Sequence, residues 1–514
     1  MATYATPIDP ELFIGLALAT GTDITVVTKT LEDELKEYKY RCESIHLIEV
    51  LHQIEKWRTL PESPIDDRIE SHMNAGNEFR TILERGEAIA LLGIGDVRRR
   101  RMKISGGSDA NEPIPRCAYV FRGLKHPAEV EALRRIYGSG FILIGIYSPH
   151  DARLDHLAKE IAESRHDFQV DSYRSRAEGL IHRDQEEAGK QYGQNLRGTF
   201  YRADVFVDAS NPALLRASLT RFTGLLFGDT FNTPTKDECG MFHAQAAALR
   251  SADLGRQVGA AITTAEGDII AVGTNEVPKA GGGLYWSGDN SDQRDFVLGY
   301  DSNDKRKRSL LADLLERLKT EGWLSQAKEK LSTDELLGLA LKKDSESALR
   351  KAQLMNVIEF GRAVHAEMAA LIDASRRGVS VKDATLYCTT FPCHLCARHI
   401  VAAGLRRVVY IEPYAKSLAA QLYPDSIAVE SETASDHQVS FEPFVGVAPS
   451  QYLNLFSMLE RKDSTGAVIS LDRTTANPRS QSSVPTYMRN ESSNLDLLNN
   501  SMQEKGLIKE KETK

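Results

Sequence analysis

Short apolar runs alternate with amphipathic stretches over roughly the first 210 residues. The run ELFIGLALATG, residues 11–21, ends in Gly, and GTDITVVTKTLEDELKEYKY then repeats apolar residues every three or four positions. This order predicts a strand, a tight turn and an amphipathic helix. Further segments of such strand–helix units are EAIALLGIG, RCAYVF, HPAEVEALRRIYG, GFILIGIYS and ADVFVDAS. Strands that alternate with helices predict a parallel sheet with helices on both faces.

The pattern changes after Pro212. The segment KDECGMFHAQAAALRSADLG, residues 236–255, predicts a helix, and RQVGAAITTAEGDIIAVGTNE predicts two strands about a Glu-Gly turn. The following elements are a helix with HAEMAALIDASRRG, a strand ATLYCTTF, a helix CHLCARHIVAAGL and a strand RRVVYIEP. The chain is therefore predicted to be α/β throughout, with a domain boundary near residue 225.

The 514 residues are too many for one core of ordinary size, so at least two hydrophobic cores are expected. We predict a first domain over residues 1–224 and a second over residues 225–473. Within the second domain, residues 279–359 are charged and have the character of an insertion at a loop. Residues 474–514 are polar and poor in aromatic side chains, which predicts a disordered tail.

Composition excludes several classes of protein. Hydrophobic residues make up 41% and charged residues 26%, as in globular proteins, and the net charge of -8 argues against a general polyanion-binding surface. No apolar stretch approaches the roughly 18 residues that span a bilayer, and MATYATPIDPELF lacks the features of a signal peptide. We expect a cytoplasmic protein with no membrane contact. Its six cysteines would then stay reduced, so a close pair indicates metal binding or redox chemistry.

One such pair, Cys393 and Cys396, lies where a helix is predicted to begin, and His365 precedes another helical run. Zinc in a catalytic site takes three protein ligands and keeps a fourth position open. These three residues are the candidate ligands, and the positive end of a helix favours thiolates. Glu367 follows His365 by two residues, close enough to move protons without becoming a ligand.

Two other interpretations of the cysteine pair stay open. It could be a redox pair, or half of a structural site with four ligands, although the sequence contains no second C-x-x-C motif. Cys388, His394 and His399 are assigned to packing or surface roles, because a fourth protein ligand would close the position that catalysis needs.

The segment from about residue 236 to 415 resembles the cytidine and deoxycytidylate deaminase superfamily. The resemblance is carried by RQVGAAI, GDIIAVGTNEVP, HAE, LYCTTFPCHLC and AAGLRRVVY, including the H-x-E and P-C-x-x-C pairing typical of zinc nucleobase deaminases. It implies an α/β/α deaminase domain that uses Zn²⁺ to hydrolyse free deoxycytidine nucleotides, dCMP or dCTP. It also implies that Asn275 contacts the sugar and that Tyr414 helps to form the nucleotide pocket. Lys416 is a candidate phosphate partner by proximity alone.

Near the N-terminus, GLALATGTD (Gly15 to Asp23) joins a predicted strand to a predicted helix. Glycine-rich turns of this kind cradle phosphates, usually with a lysine that this turn lacks, and similar turns occur in domains without a nucleotide. Gly15, Gly21, Thr22 and Asp23 are the candidate nucleotide-binding residues. A basic run, RRRRMK at 98–103, could contact phosphate or RNA or could be a solvated face.

Residues 11–210 resemble the degenerate P-loop nucleotide-kinase-like domain that is fused to deaminases in bacterial anti-phage deoxycytidylate deaminases. This implies a parallel kinase-like sheet that senses a nucleotide such as ATP or GTP, and an enzyme that depletes dCTP during phage infection. It also implies a homo-oligomer and a regulatory RNA or phage-derived trigger. The competing functions are a polynucleotide cytidine deaminase, acting on RNA or single-stranded DNA, and a catalytically inert nucleotide-sensing module.

Overall fold

The computed structural model describes residues 9–107, 110–187, 189–342, 348–414, 416–431, 435 and 437–509. Residues 343–347 of the expected insertion and 510–514 of the expected tail lie outside the described residues. The strands are β1 (Leu12–Leu18), β2 (Arg41–His46), β3 (Cys117–Arg122), β4 (Phe141–Tyr147), β5 (Val205–Asp208), β6 (Gly259–Thr263), β7 (Ile269–Thr274), β8 (Thr385–Thr390), β9 (Arg407–Glu412), β10 (Ile427–Val429), β11 (Val439–Pro443) and β12 (Gly446–Val447).

The α-helices of the first 248 residues are α1 (Ile24–Glu37), α2 (Ile65–Leu83), α3 (Ala88–Ile104), α4 (Pro127–Tyr137), α5 (His150–Ser164), α6 (Arg174–Gln185), α7 (Leu196–Phe200), α8 (Pro212–Leu226) and α9 (Lys236–Ala248). Those of the remainder are α10 (Asp295–Leu298), α11 (Ser302–Thr320), α12 (Gln326–Glu329), α13 (Thr333–Ala340), α14 (Ala366–Arg376), α15 (His394–Ala402), α16 (Ala419–Leu422), α17 (Tyr452–Phe456) and α18 (Val484–Glu504). None of the described helices is long and apolar enough to cross a membrane.

The chain divides into two compact units, and the first is discontinuous in sequence. It comprises Met1–Thr235 and Val445–Lys514. Its sheet has the order β12-β5-β4-β1-β3-β2, in which the strands from β5 to β2 pair in parallel and β12 pairs antiparallel to β5. Every residue of the central strand β1 is buried, as expected for a parallel strand covered on both faces. The predicted parallel sheet is therefore confirmed for this unit.

The second unit, Lys236–Phe444, contains the other sheet. Its strands have the order β10-β11-β9-β8-β6-β7. β6 pairs antiparallel with both β7 and β8, whereas β8, β9, β11 and β10 pair in parallel. The two predicted strands about a Glu-Gly turn are β6 and β7, and the predicted helix–strand–helix–strand series is α14, β8, α15 and β9.

The boundaries of these units correct the predicted domain limits. The first part of unit one extends to residue 235 rather than 224, and the chain returns to that unit at residue 445 rather than ending the second domain at 473. β12 explains the return, because Val447 pairs with Val205 of β5 and so extends the first sheet. A strand of two residues is too short to show the alternation of apolar and polar residues by which strands are recognised in a sequence.

The expected disordered tail is also corrected, since much of it forms α18. Tyr487, Met488, Leu498 and Met502 of this helix are buried in the first unit. Polar composition suggested disorder, but these four apolar or aromatic side chains recur at helical spacing and give the helix one face to bury.

The basic run at residues 98–103 lies on α3, where Arg99 and Lys103 are exposed and Arg101 is not. Arg101 is fully buried and forms ion pairs of 2.9 Å with Glu11 and 2.8 Å with Glu491, both of which are buried. Arg100 pairs with Asp96 at 2.7 Å. The same helix contains EAIALLGIG, whose apolar run begins α3 rather than a strand. Short buried helices and buried strands have similar apolar patterns, so composition alone does not separate them.

Candidate functional site

The second unit places two helix N-termini side by side at one edge of its sheet. His365 is the residue before α14, and Cys393 is the residue before α15, which follows β8 after a short Phe-Pro turn. Gly273 of β7 permits the close approach of α14, because a Cβ atom there would lie 2.1 Å from the carbonyl oxygen of Ala366. The glycine of the G-T-N-E segment thus helps to fix the helix that carries Glu367.

His365, Cys393 and Cys396 form one cluster. The Sγ atoms of Cys393 and Cys396 lie 3.2 and 3.3 Å from Nδ1 of His365, and all three potential ligand atoms lie within 4.8 Å of one another. Both thiols are buried. One imidazole nitrogen and two thiols are a ligand set that zinc prefers in proteins, and three such ligands leave one position for catalysis. The donors that the structure brings together therefore fit a zinc ion.

The electrostatics of the cluster favour a cation. The hydrogen bond with Cys396 lowers the pKa of the Cys393 thiol to about 4. The hydrogen bond with Cys393 raises the pKa of His365 to about 9. Burial raises the pKa of the Glu367 carboxyl, and the negative charge of Cys393 adds to this effect. A thiolate at Cys393 thus attracts positive charge to this buried site.

A cavity of about 240 Å³ opens beside the cluster. Its wall includes His365, Glu367 and Cys393 from the cluster region, together with Asn275 and Tyr414. These five residues were all singled out in the sequence, and the structure brings them to one cavity. A concave site with a few convergent polar groups is the usual form of a small-molecule site, although such cavities more often exceed about 300 Å³.

Asn275 has a structural task in addition to its place on the cavity wall. Its side-chain oxygen accepts a hydrogen bond of 2.7 Å from the Val258 amide, and its Nδ2 donates one of 2.8 Å to the Arg256 carbonyl. The amide carries two hydrogens on Nδ2, so one donor is left for a ligand. The structure places Lys416 elsewhere, since it is exposed and does not line the cavity.

Several cavity residues were missed in the sequence. Arg256 stands at the start of the R-Q-V-G segment, with its guanidinium 5.6 Å from the ring of Tyr414. Arg362 lies three residues before His365, and Nη1 donates to Asp295 at 2.8 Å. The position of both arginines next to recognised motifs was a usable signal. Asp295, Asp301, Asn303 and Ile358 also line the cavity. These four belong to the predicted insertion, whose fold the sequence did not reveal.

The four candidate nucleotide-binding residues near the N-terminus lie in different local environments in the structure. Gly15 lies inside β1, where a Cβ atom would come within 2.7 Å of Leu124, so its small size serves sheet packing. Gly21 is in the turn, with a φ of 90° that favours glycine. The Thr22 amide donates to the Ala19 carbonyl at 3.1 Å. Asp23 precedes α1, and its carboxylate accepts hydrogen bonds from the Thr25 and Val26 amides.

Asp23 therefore occupies two of the donors that a phosphate would use at this helix N-terminus. The turn has no lysine of its own, but Lys125, which follows β3, reaches it from another part of the chain. Its Nζ donates to the Leu18 carbonyl at 3.1 Å and pairs with Asp184 at 2.8 Å. A lysine so remote in sequence could not be assigned to the turn from the motif.

Comparison with known proteins agrees with the cluster in the second unit. The deoxycytidylate deaminase of Enterobacteria phage T4 is 43% identical over 54 residues, which are 10% of this chain and 28% of that protein. ComE operon protein 2 of Bacillus subtilis is 40% identical over 65 residues, 12% of this chain and 34% of that protein. Cytosine deaminase of Candida albicans is 32% identical over 88 residues, 17% of this chain and 59% of that protein. The chain spans less than a third of the length of the phage enzyme.

Among solved structures, the dCMP deaminase from cyanophage S-TIM5 in complex with dCMP and dUMP is similar with a TM-score of 0.23 and 18% identity. The alignment covers 41% of this chain and 98% of that one. The family model of the cytidine and deoxycytidylate deaminase zinc-binding region matches residues 234–412. That match spans His365, Glu367, Cys393 and Cys396 and the whole of β6, β7, β8 and β9. Residues 234–412 are thus similar to the zinc-binding region of cytidine and deoxycytidylate deaminases.

Proposed function

We propose that the second unit is a zinc-dependent hydrolytic deaminase of free deoxycytidine nucleotides, dCMP or dCTP. The observation that carries the proposal is the His365, Cys393 and Cys396 cluster beside a buried Glu367 on the wall of a single cavity. The phage T4 relative is a deoxycytidylate deaminase, which supports this substrate class. In the proposed site the three clustered residues hold zinc, and zinc when bound supplies the Lewis acidity that makes water a nucleophile at neutral pH.

Glu367 moves the protons of the reaction. Its carboxylate accepts a proton from water as the water oxygen bonds to C4 of cytosine, and then delivers that proton to ring nitrogen N3. Glu367 then takes the proton of the new C4 hydroxyl and gives it to the amino group, so that the C4–N bond breaks as the C4=O bond forms, ammonia leaves and uracil remains. The cavity supports these steps because the Glu367 carboxyl is buried in its wall. Burial raises the pKa of this carboxyl, which helps it to hold and return a proton.

The sugar and phosphate are proposed to lie toward Asn275 and Arg256. Asn275 has one Nδ2 hydrogen free of the contacts that hold Arg256 and Val258, and this donor suits a sugar hydroxyl. Arg256 is the proposed phosphate contact in place of Lys416, because it lines the cavity, 47% of its side chain is exposed, and its ion pair with Glu412 is long at 3.6 Å. The Arg362 guanidinium is already bonded to Asp295 and to the Gln293 carbonyl.

A substrate panel tests the proposal. The purified full chain is incubated with cytosine, cytidine, dCMP, dCTP and a single-stranded oligodeoxynucleotide, and ammonia release is measured together with zinc content. We expect release from dCMP or dCTP, and we expect Cys393→Ala to lose both zinc and activity. Cys239→Ala is the matched control, since Cys239 lies in α9 outside the cluster. Deamination of the oligodeoxynucleotide alone would support a polynucleotide deaminase, and zinc retained in Cys393→Ala would contradict the proposed ligand set.

The remaining parts of the resemblance are proposals about the whole chain. The enzyme is proposed to deplete dCTP as a defence against phage, with ATP or GTP sensed near Gly21, Thr22 and Asp23. Equilibrium dialysis with labelled ATP and GTP tests the sensing step, and absence of saturable binding would contradict it.

A homo-oligomer and a regulatory RNA or phage-derived trigger are proposed on the resemblance alone. Light scattering of the purified chain, and plaque counts for wild type against Cys393→Ala, test the assembly and the defence.

A further inference from the structure

A second group of potential metal ligands lies in the first unit. One ring nitrogen each of His52 and His72 and a carboxylate oxygen of Glu62 lie within 4.8 Å of one another. His52 belongs to a 3-10 helix, Leu47–Gln53, that follows β2. His72 lies on α2, and Glu62 lies in the segment between the two. This group contains none of the residues assigned to the deaminase cluster.

The hydrogen bonds around His72 fix its chemistry. Its Nδ1 lies 2.7 Å from the Arg68 carbonyl oxygen, one turn earlier on α2. A carbonyl only accepts hydrogen bonds, so Nδ1 carries the proton and a neutral His72 presents a bare lone pair at Nε2. The same arrangement, with one ring nitrogen donating to a carbonyl, orients histidine ligands in metal sites. Arg68 also holds Glu62, through a 3.0 Å bond from its Nε to the carboxylate.

His52 faces this lone pair. Its Nε2 lies 3.2 Å from Nε2 of His72, and its Nδ1 lies 3.8 Å from Glu62 Oε1. With the proton on Nδ1, toward the carboxylate, the two Nε2 lone pairs would face each other and repel. With the proton on Nε2, the Nδ1 lone pair would face the carboxylate instead. In the second form the Nε2–H of His52 donates a hydrogen bond to Nε2 of His72, whereas in the first form the two facing lone pairs can both bind one cation placed between them.

The separation of the two nitrogens suits a metal ion. Two bonds of about 2.0–2.1 Å at a tetrahedral angle place two zinc-bound nitrogens roughly 3.3–3.4 Å apart, close to the observed 3.2 Å. Two imidazoles and one carboxylate favour zinc and its first-row neighbours over Mg²⁺ or Ca²⁺, which prefer oxygen. His72 is buried, whereas 60% of the Glu62 side chain is exposed, so one ligand is free to adjust to the ion.

We propose that His52, His72 and Glu62 bind a divalent transition metal of the zinc class in the first unit. His72 and Arg68 also line a cavity of about 160 Å³ whose wall includes Arg80 and Lys125. An ion held by His72 would add a further positive charge beside this basic cavity. The rival occupant is a proton, because a protonated His52 could donate to both His72 and Glu62.

The number of zinc ions bound per full chain distinguishes a bound metal ion from a bound proton at this site. The protein is stripped with a chelator, incubated with a small excess of Zn²⁺, freed of unbound metal, and analysed for zinc per chain. We expect His52→Ala to hold one zinc fewer per chain than wild type, whatever the deaminase cluster binds. His150→Ala is the matched control, since His150 also lies in the first unit with two carboxylates, Asp151 and Glu178, near its ring. It should hold as much zinc as wild type.

Glu62→Gln gives a second measurement that does not depend on a buried substitution. Because Glu62 is exposed, this variant should keep its fold while zinc affinity at the site falls by at least about tenfold. Equal zinc content in wild type and His52→Ala would overturn the proposal in favour of a proton. Equal losses in His52→Ala and His150→Ala, or binding to wild type only at millimolar Zn²⁺, would overturn it in favour of non-specific surface binding.

Discussion

The carboxylate of Glu367 lies in the first turn of α14, two residues after His365, and only 4% of the residue is exposed. We expect Glu367→Gln to retain zinc, because the three clustered ligands are unchanged, and to lose turnover by about 10² to 10⁴-fold, as for a general acid–base group. Zinc content and ammonia release from dCMP and dCTP measure the two effects. Glu266→Gln, in the exposed turn between β6 and β7, is the control. A Glu367→Gln variant that loses its zinc would make Glu367 part of the ligand set instead.

The residues of the zinc cluster could be predicted because the motif spacings are local. Cys393 and Cys396 lie within one helical turn, so any helix beginning at that point directs both thiols toward the same side. His365 and Glu367 are only two residues apart, across the start of α14, so they are also close because of local spacing. Lys416 was chosen by proximity in sequence, which does not determine the direction of a loop, and the structure leaves it off the cavity. Arg256 reaches the cavity because Asn275 bonds to its carbonyl, a contact between segments that spacing does not encode.

At the scale of elements, α9 is joined to the second sheet by Asp237. Its carboxylate accepts bonds of 2.7 and 2.9 Å from Arg407 of β9 and one of 2.8 Å from Tyr387 of β8. Burial alone would raise the pKa of Asp237, but the hydrogen bonds and charge of Arg407 lower it overall. A carboxyl whose pKa is lower in the folded state stabilises the fold above its unfolded pKa of about 4 and loses that effect as pH falls further.

Asp237→Asn should therefore lower the free energy of unfolding at pH 7 by about 1.5–3 kcal/mol, the range for hydrogen bonds to charged groups. The difference from wild type should shrink as pH falls below about 4, because the wild-type carboxylate is then protonated. Denaturant unfolding at a series of pH values measures this difference, and comparison at each pH cancels acid effects common to both proteins. Asp268→Asn, exposed in the β6–β7 turn, should show little change. If the difference in free energy of unfolding between variant and wild type did not change with pH, the charge of Asp237 would not be its cause.

Elements with long periodic patterns were predicted well, and short or atypical ones were not. The strands and helices around the cluster of His365, Cys393 and Cys396 alternate clearly in apolar character, so α14, β8, α15 and β9 followed from the sequence. EAIALLGIG was ambiguous because α3 is buried on most sides, with Ile89, Leu91 and Ile94 all inaccessible to solvent. The insertion was predicted to exist, but its contribution of Asp301 and Asn303 to the cavity depends on tertiary packing of α11.

At the scale of the whole molecule, the first unit is completed only by residues that follow the second. The second unit lies within the chain between residues 235 and 445, so the N-terminal sheet depends on α18 for part of its core. The sequence pattern does not predict this arrangement, because no local feature marks residue 445 as a return to an earlier sheet. The buried ion pairs of Arg101 with Glu11 and Glu491 are the clearest consequence.

Removal of α18 tests this dependence. Ending the chain after Ser483 deletes Glu491 and leaves Arg101 buried with Glu11 as its remaining ionic partner among the described residues. Breaking a buried pair by removing one partner costs about 3–5 kcal/mol, and the loss of Tyr487, Met488, Leu498 and Met502 from the core adds to this. Ending the chain after Glu504 instead should have little effect, because the removed residues lie beyond the helix.

We expect the shorter chain to show early unfolding and rapid proteolysis of the first unit, while the second unit retains zinc at the Cys393 cluster, whose ligands all lie between residues 236 and 444. Calorimetry and limited proteolysis follow the first unit, and zinc bound to the resistant fragment follows the second. Glu491→Gln should reproduce part of the loss without any deletion, since it removes the charge and keeps the helix. If both truncations, after Ser483 and after Glu504, unfold alike, the stabilising role of α18 would be wrong. If zinc is lost in parallel with the first unit, the two units fold as one and the independence of the second unit fails.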